Sequence, residues 1–302
     1  PGYLPSQAQY RELFVNPIEK MGDPDKKMLL SRLIQPFLMR RKKSEVLDDL
    51  PEKIEEIAYC YLSEEQQKLY RDAFLKSRDA LMKEIEKPGK ELPYLHVFAL
   101  LNTLKQICNH PCLITKDLKN YKNHQSGKWD LFVELLNETR DSGQKLVVFS
   151  QYLDMMTLIE NYLKEEGIKY ATIRGSTQDR KEQLQTFRDD PECEVFVASL
   201  KAAGTGVDLT AASVVIHYDR WWNPAKENQA TDRVHRIGQN RGVQVFKMVT
   251  RGTVEGHIHE LIEKKVGLLE SIIGYDDQDQ IKNLDREDLI ALLQQLNNDF
   301  KD

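Results

Sequence analysis

The sequence predicts an α/β fold: a doubly wound parallel sheet, preceded by a mostly helical N-terminal subdomain and followed by further helices. Three observations predict it. Residues 145–150 (KLVVFS) form a short continuous apolar run, the pattern of a strand buried on both faces. From there on, strand-like runs at 170–173, 194–198, 214–218 and 244–249 alternate with helix-like stretches through short links. That alternation builds a parallel sheet with helices on both faces. Before about residue 120 the pattern is helical and polar instead, with no strong strand signal.

In chain order, turn residues at 1–6 lead into a first helix, with Ser6 as a plausible N-cap. Residues 28–47 (MLLSRLIQPFLMRRKKSEVL) carry helical spacing interrupted by Pro36, then the basic run Arg40, Arg41, Lys42 and Lys43. Residues 54–62 alternate and are expected as a single strand or an extended crossing. Ser63-Glu64-Glu65-Gln66 is a capping-box pattern that opens a helix to about residue 87. A further helix, 94–109, stops before His110-Pro111, since proline disfavours helix in the residue ahead of it. Polar, irregular residues 119–127 are expected to mark a domain boundary. Helices are expected between the strands at 153–165 and 177–187, then at 253–273 with Gly274 as C-cap. An acidic linker at 276–279 precedes a last amphipathic helix at 285–296.

At 302 residues the chain has room for more than one core. No apolar run is long enough for a membrane span, and no signal-peptide pattern opens the sequence. The net charge of -5 neither supports nor excludes nucleic acid, because basic groups can gather in one groove. Four scattered cysteines, Cys60, Cys108, Cys112 and Cys193, fit a reducing, intracellular compartment better than a disulfide framework. Cys108, His110 and Cys112 raise the question of zinc, but no fourth ligand is evident, and no metal site is expected.

The segment 229–239 (QATDRVHRIGQ) holds Arg233 and Arg236 three apart. On a helix the two guanidinium groups would share a face and suit a transferring phosphoryl group. The plainer alternative is a solvated helix with Asp232 and Glu227 as ion-pair partners. Taken whole, the segment resembles the sixth motif of the SWI/SNF-type helicase-like ATPases, DNA translocases of helicase superfamily two. Gln229, Arg233, Arg236, Gly238 and Gln239 carry the match. Further segments resemble the same family: P-F-x-x-R-R-x-K at 36–43, L-x-x-L-x-x-I-C-N-H-P ending at Pro111, F-S-Q at 149–151, SLKAAGTGVDLT at 199–210, and D-x-x-W-N-P at 219–224. The phrase at 219–239 looks closer to prokaryotic members.

The resemblance implies a RecA-like second motor lobe, about residues 121–265. A helical inter-lobe and protrusion region would cover 1–120, and C-terminal brace helices 266–302. It implies Arg233 and Arg236 as catalytic arginine fingers, with Gly204, Gly206, Asp208 and Gln229 on the nucleotide side. It implies DNA-backbone contacts at Lys128, Ser150, Gln151 and Lys201, and Trp222 lying against the DNA minor groove. Gly175, Ser176 and Thr177, after the second expected strand, could hold a phosphate or form a plain capped turn. Relatives commonly have glycine where Ala203 sits and asparagine where Asp208 sits, so this loop is expected to be shifted. Neither G-x-x-x-x-G-K-[ST] nor D-E-x-H occurs in the chain. ATP and Mg²⁺ would therefore be bound mainly by an absent first lobe of the same parent, leaving this part inactive alone.

The expected partners are that lobe and the double-stranded DNA backbone, with no membrane; the part itself is expected to be monomeric. The work would be in the cytoplasm or nucleoid of a prokaryote, or in a eukaryotic nucleus. Two alternatives stand beside this: a non-catalytic nucleic-acid- or protein-binding module with the same fold, and an unrelated α/β enzyme acting on a small nucleotide. The last needs a glycine-rich turn after the first strand, where Ser150-Gln151-Tyr152 stands.

Overall fold

The computed structural model describes residues 7–20, 23–34, 50–87, 93–203, 206–221, 224–260 and 286–298. The basic run 40–43, the acidic segment 276–279, Gly204 and Trp222 lie outside these. Residues up to Asp49 form one compact unit and those from Leu50 a second. In the first, a helical stretch at Gln7–Tyr10 continues into Arg11–Lys20, wound more widely in π fashion around Pro17, and a helix follows at Pro24–Ile34.

The second unit is built on a six-stranded, all-parallel sheet: β1 (Lys53–Cys60), β2 (Leu146–Ser150), β3 (Tyr170–Ile173), β4 (Val195–Ser199), β5 (Val214–His217) and β6 (Val243–Thr250). Their order across the sheet is β1-β6-β5-β2-β4-β3. The strands of the α/β part fall close to where the sequence predicts them. The addition is β1, which pairs with β6 along its whole length, from Lys53 opposite Val243 to Cys60 opposite Thr250. It lies ahead of residue 121 in sequence yet completes the edge of the sheet. An edge strand can leave residues in water, and Lys53, Glu55 and Glu56 do so; it therefore lacks the apolar run that marks the inner strands.

The longer helices among the described residues of this unit are α1 (Glu64–Ile85), α2 (Tyr94–Asn109), α3 (Gly127–Asp141), α4 (Leu153–Glu165), α5 (Arg180–Asp189), α6 (Pro224–Thr231), α7 (254–260) and α8 (Arg286–Asn298). The capping box of α1 forms: Ser63 Oγ accepts from Gln66 N, and Gln66 Oε1 from Ser63 N. The stretch 119–127 is less loose than its composition implies. Leu118–Asn123 is a 3-10 helix whose Tyr121 is buried among Trp129 and Tyr162.

Successive side chains of each inner strand go to opposite faces. Leu146 and Val148 pack with Phe132 and Leu136 of α3 and Leu158 and Ile159 of α4. Val147 and Phe149 pack on the other face with Phe187 of α5, Ala230 of α6 and Val234. A third core is helical: Tyr70 and Phe74 of α1, Leu101 and Leu104 of α2, Val254 and Ile258 of α7, and Leu289, Leu292, Leu293 and Leu296 of α8. The α1–α2 hairpin is thus closed by helices from the far end of the chain. All four cysteines are buried free thiols, with Cys108 inside the helical core. No helix among the described residues is long and apolar enough to cross a membrane.

Candidate functional site at the strand ends

Because the strands are parallel, their carboxyl ends form one rim. Residues 150–151, 174–177, 199–201 and 218–221 follow β2, β3, β4 and β5 there. Gly175 and Ser176 are exposed, and Thr177 is half-buried, with its hydroxyl accepting from Arg174 N at 2.9 Å. That bond closes a turn before α5, which starts at Arg180, three residues later than its sequence pattern indicates. The Arg174 side chain turns away to Glu160 of α4, 2.8 Å. Lys201 is exposed.

Two expected phosphate contacts take other roles. Lys128 is completely buried. Its ammonium donates to Glu255 of α7 at 2.5 Å and to Asn109 Oδ1 of α2 at 3.1 Å. Burial pushes the Lys128 pKa down, but the Glu255 carboxylate together with the nearby Cys60 and Cys108 outweighs it, and the net direction is upward. The lysine is therefore a charged strut inside the unit and does not reach a phosphate. Its neighbours share the task. Ser126 caps α3, accepting from Trp129 N and donating to the Asn109 carbonyl. Gly127 packs so tightly that a β-carbon would come within 2.1 Å of the Tyr61 carbonyl.

Ser150 is 1% exposed, and its hydroxyl donates to Asp219 Oδ2 at 2.5 Å. Asp219 also accepts from Gln151 N at 3.2 Å, and Gln151 Nε2 donates to the Arg220 carbonyl at 3.3 Å. Ser150 thus holds the ends of β2 and β5 together, while Gln151 stays half-buried at the rim. Burial drives the Asp219 pKa upward, and the Lys105 ammonium and the Ser150 hydroxyl pull against it.

In the loop after β4, Leu200–Ala203 make a helical turn with Ala203 fully buried. Among the described residues the one non-glycine with positive φ is Lys116, so the alanine sits at this position without backbone strain. Gly206 is exposed, with φ +63°. Asp208 is exposed too, and its Oδ1 accepts from Thr210 N at 3.2 Å and from Thr210 Oγ1 at 2.9 Å.

The arginine segment is not one helix. α6 carries exposed Gln229 and ends at Thr231, whose hydroxyl meets His217 Nε2 at 2.9 Å. Beyond it, Arg233 and Arg236 sit half-buried on consecutive turns. Gly238, at φ +101°, closes the second, a conformation that side chains with a β-carbon avoid. Tertiary anchors take the place of the helix. Leu209 N donates to the Arg233 carbonyl at 3.0 Å, and His235 Nε2 donates to the Pro51 carbonyl at 2.7 Å. The Gln239 amide donates to the carbonyls of Thr210, Ala212 and Val234. The arginines thus share a turn system with the loop after β4 rather than a helix face. Glu227 is not their ion-pair partner, for it is fully buried against Arg220 at 3.1 Å.

Asp219, Glu227, Gln239, Lys105 and Glu255 therefore matter to the site, although the motif matches alone do not single them out as its working residues. Lys105 offers a signal, a charge in the mostly apolar stretch from Leu104 to Cys108, whereas Glu227 and Gln239 stand beside polar neighbours and offer none.

A six-stranded parallel sheet covered by helices on both faces is a RecA-like arrangement. Residues 127–238 match the helicase conserved C-terminal domain, and residues 1–113 match the SNF2-related domain. The Sulfolobus solfataricus SWI2/SNF2 ATPase C-terminal domain is 31% identical, with a TM-score of 0.63 over 80% of this chain and 98% of that one. The chain belongs to the SWI2/SNF2 family of helicase-like ATPases. The Sulfolobus solfataricus SWI2/SNF2 ATPase core in complex with dsDNA is 33% identical, TM-score 0.65, over 98% of this chain and 61% of that one. YwqA of Bacillus subtilis, which bears the provisional name of an ATP-dependent helicase/translocase, is 40% identical over 278 residues. That alignment takes in 90% of this chain and spans 30% of the relative's length.

Proposed function

We propose that this chain is the second motor lobe of an ATP-dependent double-stranded DNA translocase of the chromatin-remodelling type. The observation that carries this is the bond from Leu209 N to the Arg233 carbonyl, with the Gln239 amide beside it. It joins the arginine-bearing turn to the loop after β4, so groups suited to a phosphoryl group move with groups suited to a DNA phosphate. Arg233 and Arg236 would act as arginine fingers on ATP held by a first lobe, with Gly204, Gly206, Asp208 and Gln229 on the nucleotide side. Gln151, Gly175, Ser176, Thr177 and Lys201 would follow the phosphates of one DNA strand, and Trp222 would lie against the minor groove. Contacts to phosphates carry no base information, so binding would be indifferent to sequence.

The chemistry of the donors supports a second lobe. Guanidinium groups suit phosphate oxygens and do not bind Mg²⁺. The metal would be held by carboxylates of the first lobe. Such a motor works where DNA is, inside the cell.

The test is ATP hydrolysis, with and without duplex DNA, by this chain alone and by the chain joined to a lobe carrying the phosphate loop. We expect no turnover from the chain alone and DNA-stimulated turnover from the joined protein. Substantial hydrolysis by the pure chain would overturn the half-motor assignment. No DNA-stimulated hydrolysis by the joined protein would favour a non-catalytic binding module.

A further inference from the structure

At the end of β5, residues 219–221 are held by buried polar contacts from four other elements. Asp219 takes Ser150 and Gln151 from the end of β2. The Arg220 carbonyl accepts from Lys105 Nζ of α2 at 2.6 Å. The Arg220 guanidinium, 3% exposed, donates through Nε to Glu227 Oε1 of α6 at 3.1 Å, and through an Nη to His259 Nδ1 of α7 at 2.9 Å. The same Glu227 oxygen accepts from Trp221 N at 2.6 Å. One buried carboxylate oxygen therefore holds both the side chain of Arg220 and the main chain of the next residue.

Net stability does not explain such a site. A buried ion pair is commonly matched or bettered by apolar residues of the same volume, whereas it can fix one geometry among several. Here the geometry is the direction in which the chain leaves β5 towards the rim. The helix that supplies Glu227 leads directly to Arg233 and Arg236. A second observation concerns what is left unmade. Glu227 Oε2 and the Trp221 indole N–H are both buried without a hydrogen-bond partner among the described residues. An idle acceptor and an idle donor, on two residues already bonded through the main chain, allow a second arrangement in which more groups are satisfied. Coupling between sites requires an element with two settings, and these spare groups would supply the second.

We propose that Glu227 is a positioning residue that couples occupancy of the DNA rim to the arginine-bearing turn, with Trp221 as its partner in the switch. Glu227 touches neither ligand and acts through Arg220, Trp221 and α6. This inference rests on the two-lobe function proposed above.

The experiment uses the complete two-lobe motor and measures the ratio of DNA-stimulated to basal ATP turnover, with melting temperature alongside. Glu227→Gln keeps an acceptor for the Trp221 N–H and removes the charge facing Arg220. Trp221→Phe removes the indole donor and keeps a ring, so it serves if the first variant folds poorly. In each, the ratio is expected to fall about tenfold, within the usual range for coupling between two sites. The double variant is expected to be no worse than the more affected single one, because both changes remove the same switch. Ratios equal to wild type in folded variants overturn the proposal, and so do losses that simply add and track the melting temperature. A wild-type motor with no DNA stimulation would overturn the two-lobe function and this inference together; a stimulated wild type whose variants keep the same ratio would overturn this inference alone.

Discussion

Lys128 and Glu255 meet at 2.5 Å with neither side chain exposed, joining the start of α3 to the start of α7. Removing one partner leaves the other charge buried and unmatched. Lys128→Met should therefore cost about 3–5 kcal/mol, read as a lower urea midpoint. Lys128→Met combined with Glu255→Leu should recover much of that loss. A single variant as stable as wild type would show that the pair is not the strut described.

Gly127→Ala should destabilise as well, for a different reason. The new methyl would lie 2.1 Å from the Tyr61 carbonyl, and backbone must shift to admit it. A cost of about 1–3 kcal/mol is expected from such overpacking, again by denaturant titration. An unchanged midpoint would contradict the close approach.

Stability should fall as the solution is acidified below about pH 6.5, before most carboxylates titrate. Burial lowers the His217 pKa from 6.5 to about 4, and burial likewise takes His110 to about 4. A folded-state value below the unfolded one means that the unfolded chain binds the extra proton across this window. The contribution is therefore present above pH 6.5 and is lost progressively down to about 4. His217→Leu should flatten part of this slope in melting curves taken from pH 7 to 4. An identical slope would assign the effect elsewhere.

Arg236→Ala, in the two-lobe motor, should slow turnover on the order of 10³-fold while ATP and DNA affinities stay near normal. Arg236→Lys should not restore it, because an ammonium lacks the planar fork. Unchanged turnover at saturating ATP and DNA would remove the finger. A large drop in melting temperature would make the residue structural instead.

Duplex DNA binding should weaken steeply between about 50 and 200 mM salt, as counterions are released from neutralised phosphates. Lys201→Ala should reduce the slope of log affinity against log salt by about one and act alike on all sequences. A salt-insensitive or strongly sequence-selective complex would contradict a phosphate track.

The inner strands were legible because burial on both faces leaves a continuous apolar run, as in 145–150. Helices α2 and α4 were legible to the residue because Pro111 and Gly167 mark their ends and the apolar spacing between is unbroken. β1 gave a strand pattern but not its place, since an edge strand shows water one side and its pairing with β6 spans most of the chain. The three-residue spacing of Arg233 and Arg236 is compatible with a helix, but the bonds involving Leu209, His235 and Gln239 that shape the segment into turns reach remote positions. Lys128 misled for the same reason. A lysine after glycine resembles a phosphate contact, and nothing local announces that Glu255 is waiting inside.

The helical core closes on itself across the α/β lobe: α1 and α2 come before the inner strands, while α7 and α8 come after them. Apart from its edge strand β1, which precedes α1, the lobe is an insertion between the two halves of a helical bundle. Shortening the chain from its C-terminal side should therefore do its first damage near residue 70. Loss of α8 would strip Leu289, Leu292, Leu293 and Leu296 from the hairpin and leave its apolar seam open to water. The sheet, whose own layers are complete without α8, would outlast the hairpin. A nick near the C-terminus would thus produce a stable lobe carrying a sticky, half-melted arm, which is a recipe for aggregation rather than for a smaller working domain.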